Sequence, residues 1–85
     1  MAGKYTPLEQ YLRNLPNEQN EITLSFAQIE KLIQDTLPRS SKEHSAWWSN
    51  EIDGRHVQAH AWMNAGWLAY ADQARRLVRF LKKEK

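Results

Sequence analysis

The sequence contains no cysteine, which excludes disulfides, thiolate zinc sites and cysteine nucleophiles. Glycine and proline take only three positions each, so the chain is neither collagen-like nor of low complexity. No apolar run approaches the roughly 18–20 residues of a membrane span. The first ten residues also lack the apolar stretch of a signal peptide. For 85 residues we therefore expect one domain, 1–85 with about 5–82 ordered, in the cytoplasm.

Motifs that mark enzymes and metal sites are also missing. The sequence has no G-x-S-x-G, no glycine-rich phosphate loop and no H-E-x-x-H. His56 and His60 stand at the i, i+4 spacing at which two imidazoles can share a zinc ion. A third ligand would have to be His44 or a nearby carboxylate, so a solvated or phosphate-facing helix face is the better interpretation. We expect no catalytic residue, no metal and no cofactor.

Positive charge is concentrated in the C-terminal half. Residues 1–36 carry three basic and five acidic side chains, whereas residues 37–85 carry nine basic and five acidic ones. The overall formal charge is +2. This asymmetry indicates an anionic partner, nucleic acid above all, although a solubilising basic tail has the same composition.

Capping patterns and apolar spacing predict the elements of the first half. Thr6-x-x-Glu9 followed by leucines predicts a helix that ends at Leu15-Pro16. The alternation of residues 22–25, ITLS, predicts a short strand. Ser25-x-x-Gln28 then predicts a second helix.

Two further helices are predicted in the second half. Ser40-x-x-Glu43 predicts a helix that runs through the tryptophans to about Asn50. A fourth helix is expected from about Arg55 to Ala65, capped by Asp53 and ended by Gly66 in the left-handed conformation.

The C-terminal segment has two interpretations. Ala71, Ala74, Val78 and Leu81 are spaced for a helix that begins at Asp72. Residues 67–71 (WLAYA) and 77–81 (LVRFL) each resemble a strand instead, with residues 72–76 as the loop. We favour the hairpin because it follows directly on a glycine-terminated helix.

Residues 57–68, VQAHAWMNAGWL, resemble the junction between recognition helix and wing in winged helix-turn-helix regulators. The resemblance implies an α+β, mainly α fold that is winged helix-turn-helix-like, with an additional Trp-rich helix and a C-terminal β-hairpin. An ordinary helix-turn-helix has about three or four turn residues between its helices. About 20 residues separate Gln34 from Arg55 here, so the pattern leaves open which helix would enter a groove.

Several longer motifs cover nearly the whole chain. They are KYTPL (4–8), TLSF (23–26), HSAWWSN (44–50) and HVQAHAW (56–62) followed by AGW (65–67). Together they resemble the motifs of a small, uncharacterised bacterial domain family. The resemblance supports the fold and implies no activity.

These observations lead to a DNA-binding hypothesis and an alternative. The hypothesis is a duplex DNA-binding module with a helix in a groove and a basic wing on the phosphate backbone. Backbone contacts are expected from Arg39, Lys42, Arg75, Arg76 and Arg79, and base contacts from Arg55, His56, Gln58 and His60.

The alternative is a protein-interaction adaptor or a dimerising accessory subunit on the same scaffold. Trp47 and Trp48 are adjacent, about 100° apart on an α-helix, so we expect one of them, Trp48, at the edge. An exposed Trp48 would serve as partner anchor or base-stacking residue.

Overall fold

The computed structural model describes residues 3–51 and 57–83. Helices α1 and α2 flank the first strand, and helix α4 precedes a hairpin. Between them lie the short helix α3 and one turn of 3-10 helix. The bounds are α1 Thr6–Arg13, β1 Glu21–Ser25, α2 Phe26–Ile33, α3 Arg39–Glu43, the 3-10 turn Ser45–Trp48, α4 Ala59–Asn64, β2 Trp67–Asp72 and β3 Leu77–Lys82.

The three strands form one antiparallel sheet in the order β1-β3-β2. Leu24 of β1 lies opposite Val78, and Ala69 of β2 lies opposite Phe80. The predicted C-terminal hairpin and the predicted first strand are both confirmed. The fold is mixed α+β, and the expectation that it is mainly α understates this sheet.

One face of the sheet is buried because apolar side chains alternate along each strand. Leu24, Trp67, Ala69, Val78 and Phe80 are at most 4% exposed and lie in the same core cluster as residues from the helices. The helical contributions come from Leu8, Leu12, Phe26, Ile29, Ile33, Leu37, Trp47, Trp48, Ala59, Ala61 and Trp62. No helix among the described residues is long and apolar enough to cross a membrane.

The helix ends test the predicted caps. The capping box of α2 is confirmed, since the Ser25 hydroxyl accepts from Gln28 N at 3.0 Å and Ser25 N donates to the Gln28 side chain at 2.8 Å. Gly66 has φ +88°, the predicted left-handed stop. The Thr6 cap is wrong: Tyr5 is the N-cap residue, and the Thr6 hydroxyl accepts from Gly3 N instead.

The predicted helix through Trp47 and Trp48 is wrong as one continuous element. Pro38, not Ser40, is the N-cap of α3: its backbone is extended, and the helix begins at the next residue, Arg39. His44 then breaks it with φ −121° and ψ 115°, and a 3-10 turn follows. Of the predicted fourth helix, Asp53, Arg55 and His56 lie outside the described residues, and α4 itself begins at Ala59.

Candidate nucleic-acid interface

A tight turn of four residues, Gln73 to Arg76, joins β2 to β3 and carries two arginines. We call it the basic turn. Arg76 has φ +56°, and its N–H donates to the carbonyl of Gln73 at 3.3 Å. Arg75 N donates to the Asp72 carboxylate at 3.1 Å, which fixes the start of the turn. The backbone of the basic turn is thus held by its own hydrogen bonds.

The two arginine side chains of the basic turn project into solvent. The Arg75 side chain is 79% exposed and has only a loose ion pair with Asp72, at 3.8 Å. Arg76 is exposed, and its guanidinium has no hydrogen bond or ion pair with any residue in the described part of the chain. Their charges are therefore available to an external anion.

Helix α3 lies beside the basic turn. Gln73 Nε2 donates to the carbonyl oxygen of Ser41 at 2.8 Å, and the indole N–H of Trp48 donates to the same oxygen at 2.8 Å. On the other side, Phe26 N at the start of α2 donates to the carbonyl of Arg76 at 2.9 Å. The basic turn is therefore fixed between α3 and the first residue of α2.

Two predicted backbone-contacting residues belong to α3. The Arg39 side chain is 89% exposed and pairs with Glu43 one turn later, and Lys42 is exposed. The structure thus brings four of the five predicted phosphate-contacting residues into neighbouring elements. This group, which we call the basic surface, consists of Arg39, Lys42, Arg75 and Arg76, with the carboxylates of Glu43 and Asp72 at its margin.

Arg79 is separate from the basic surface. It points away from the core, on the solvent side of the sheet between buried Val78 and Phe80. It is paired there with Glu21 of β1. The hydrogen bond from Arg79 and its positive charge lower the pKa of the Glu21 carboxyl, and the same contact raises the pKa of Arg79. Arg79 is therefore already partly neutralised.

The predicted base-reading residues are not presented as expected. Gln58 is only 6% exposed, and its side-chain N–H donates to the carbonyl of Trp47 at 2.8 Å. The predicted base contact of Gln58 requires an exposed side chain, and this one instead satisfies a backbone carbonyl at the buried start of α4. His60 is half-buried, and Arg55 and His56 lie outside the described residues.

The predicted exposure of Trp48 is wrong as well. Trp48 is 3% exposed, and its ring stacks between those of Phe26, at 5.3 Å, and Trp62, at 5.6 Å. Trp47 packs against Tyr5 instead, at 5.9 Å. Both adjacent rings lie in the same core cluster and contact each other edge to face, at 4.6 Å, within the 3-10 turn. Trp48 cannot be a surface anchor in this conformation.

The structural roles of two polar residues, Gln73 and Asn50, were not predicted. Gln73 positions the basic turn, and only its place in a loop distinguishes it in the sequence. Asn50 holds the free edge of β2: its side chain accepts from Ala69 N at 2.8 Å and donates to Ala69 O at 3.0 Å. The same Asn50 oxygen accepts the indole N–H of Trp62 at 2.9 Å. These contacts join residues 12 and 19 positions apart, which no local pattern reveals.

Two features of the described residues bear on metal binding and on the binding of small molecules. They contain no group of three His, Asp or Glu side chains placed to hold a metal ion. An open groove between α1, β1 and α2 is lined by Tyr11, Leu24, Gln28, Lys31 and Leu32. This lining has no hydroxyl or imidazole paired as nucleophile and base.

Comparison with known proteins identifies a family. The family model described as "Domain of unknown function (DUF7662)" matches residues 5–83. The chain therefore belongs to this family, in agreement with the predicted membership of a small, uncharacterised domain family. No curated protein and no solved structure matches the chain. Its function has to be inferred from its own residues.

Proposed function

We propose that this member of the DUF7662 family binds duplex DNA, with the basic turn contacting the phosphate backbone. The observation that carries the proposal is the pair of arginines, Arg75 and Arg76, at the tip of a hairpin whose backbone is fixed on both sides. Guanidinium groups suit phosphates because they offer several N–H donors in a planar fork. A fixed turn also loses little conformational entropy when it binds.

The order of the elements supports a winged-helix arrangement for this function. A helix, a strand and further helices precede a C-terminal hairpin, and β1 pairs with β3 at the edge of the sheet. In that arrangement the β2–β3 hairpin is the wing, and its tip is the basic turn. Wings of this kind contact the backbone beside the groove that a helix occupies.

The charge distribution supports the same surface. The basic surface has four cations and two carboxylates at its margin, and the side chain of Arg76 is unpaired among the described residues. The other exposed arginine of the hairpin, Arg79, is held by Glu21. A phosphate approaching the tip therefore meets cations that do not have to break strong internal pairs.

Titration of a fluorescein-labelled 20-base-pair duplex at two salt concentrations tests the proposal. We expect the affinity of the parent to fall steeply with salt, by about 0.9 log units per log unit of salt for each phosphate contact. Reversing two charges, Arg75→Glu with Arg76→Glu, should weaken binding and flatten that slope by about two units. Arg76 has a left-handed backbone, and Arg76→Glu replaces one side chain with a Cβ by another, so the double change adds no backbone strain there.

A matched control reverses two exposed lysines elsewhere. Lys31→Glu with Lys83→Glu changes the net charge equally, at the end of α2 and just past β3. This control should alter the slope much less, and both double variants should melt close to the parent because exposed charges contribute little to stability. A parent that binds no duplex at low salt, or equal losses in both double variants, would overturn the proposal.

A further inference from the structure

The sequence leaves open which helix contacts DNA beside the wing, although its expected base-contacting residues lie in the region of α4. The two candidate helices, α3 and α4, differ in how much of their surface is buried. In α4, residues Ala59, Ala61 and Trp62 are buried, and Arg13 of α1 donates to the carbonyl of Asn64 at 2.8 Å. In α3, Ser41 alone is buried, while Arg39, Lys42 and Glu43 are exposed. The short helix α3 thus offers most of its surface to solvent, whereas half of α4 is core.

The two helices also differ in their position relative to the basic turn. α4 ends at Asn64, and Gly66 follows at the base of the hairpin, where Lys83 N donates to the carbonyl of Gly66 at 2.8 Å. The basic turn is at the opposite end of the hairpin, about 20 Å away along six residues of strand. α3 is bonded directly to the basic turn through Gln73 and Ser41.

We infer that α3, and not α4, is the helix that contacts duplex DNA together with the basic turn, and that Lys42 is its principal phosphate-binding residue. This inference rests on the proposed function. Lys42 is preferred over Arg39 because Arg39 is paired with Glu43, whereas Lys42 has no ion pair within the described part of the chain.

Gln73 is the positioning residue of this surface. Its amide holds the basic turn against the Ser41 carbonyl, which also accepts the Trp48 indole N–H. If the Gln73 amide is removed, the Trp48 indole N–H still donates to the Ser41 carbonyl, so no buried acceptor is left unpaired. Gln73→Met should therefore fold normally while the direct bond that holds the basic turn against α3 is lost.

Two variants that each lower the net charge by one test the choice of helix. Lys42→Gln removes a cation from α3, and Asn64→Asp adds an anion to the exposed end of α4. With the same 20-base-pair duplex, Lys42→Gln should flatten the salt slope by about one unit, and Asn64→Asp should leave it nearly unchanged. Gln73→Met should weaken binding roughly two- to tenfold, as expected for lost preorganisation, with the salt slope retained.

The outcomes separate this inference from the proposed function. If Asn64→Asp weakens binding and Lys42→Gln does not, α4 is the contacting helix and the inference fails while DNA binding stands. If neither variant changes a slope that the Arg75→Glu, Arg76→Glu pair flattens, the basic turn binds alone and the inference also fails. If the parent binds no duplex, the proposed function itself fails.

Discussion

Removal of the Asn50 side chain should strongly destabilise the domain. Asn50→Ala deletes three hydrogen bonds, from Trp62 Nε1 at 2.9 Å, from Ala69 N at 2.8 Å and to Ala69 O at 3.0 Å. Trp62 and Ala69 are 0% and 3% exposed, so their polar groups lose a partner in a largely dry environment.

The magnitude follows from the three bonds. Each contributes a net of about 0.5–1.5 kcal/mol, so we expect a loss of about 2–4 kcal/mol in the free energy of unfolding. A domain of this size has about 4–13 kcal/mol in total, at roughly 0.05–0.15 kcal/mol per residue. The melting temperature should fall by about 8 °C or more.

Urea unfolding followed by far-ultraviolet circular dichroism measures this loss. Asn17→Ala is the matched control, since Asn17 is exposed and accepts only through its backbone carbonyl, and it should change stability by less than about 0.5 kcal/mol. A double-mutant cycle of Asn50→Ala with Trp62→Phe should give a coupling energy of about 1 kcal/mol. An Asn50→Ala variant that melts within about 2 °C of the parent would refute the reasoning.

Two further predictions concern a helix end and an ion pair. Gln34 ends α2 in the left-handed conformation, with φ 56° and ψ 40°, so Gln34→Gly should stabilise the domain by about 0.5–1 kcal/mol in urea unfolding. The control Ala27→Gly, inside the same helix, should destabilise the domain by a similar amount. A Gln34→Gly variant that is less stable than the parent would contradict the left-handed backbone at this position. Because Arg79 lowers the pKa of Glu21, the pair stabilises the fold above the ordinary pKa of a glutamate, and this contribution is lost as pH falls through the lowered value. Carbon-detected NMR titration should show the Glu21 pKa rising in Arg79→Gln, and an unchanged pKa would mean that the pair does not form in solution.

The sequence predicted the elements that local chemistry determines. The box of Ser25 and Gln28 identified the start of α2, and Gly66 identified the left-handed exit into β2. The alternation of residues 67–71 and 77–81 was compatible with two strands, and the glycine-terminated helix before them favoured the hairpin over a helix. In β3 the same alternation places Arg79 on the solvent face, between buried Val78 and Phe80.

The features that were predicted wrongly or not at all depend on tertiary contacts. The adjacent rings of Trp47 and Trp48 were expected on different sides of an α-helix, but the break at His44 and the 3-10 turn let both enter the core. Gln58 was expected to contact a base because a glutamine amide can form two hydrogen bonds with an adenine edge, yet it satisfies the Trp47 carbonyl inside the protein. The bond between Gln73 and Ser41 spans 32 positions, so no pattern in the sequence could bring α3 to the basic turn.

The most direct test of the central claim is an amide chemical-shift map of the protein titrated with the 20-base-pair duplex at low salt. We expect the largest shifts at residues 73–76 and 39–43, with those of Arg75, Arg76 and Lys42 among them, and their reversal on adding salt. Shifts confined to the groove of Tyr11, Leu24 and Leu32, or no shifts at all, would contradict a DNA-binding basic surface.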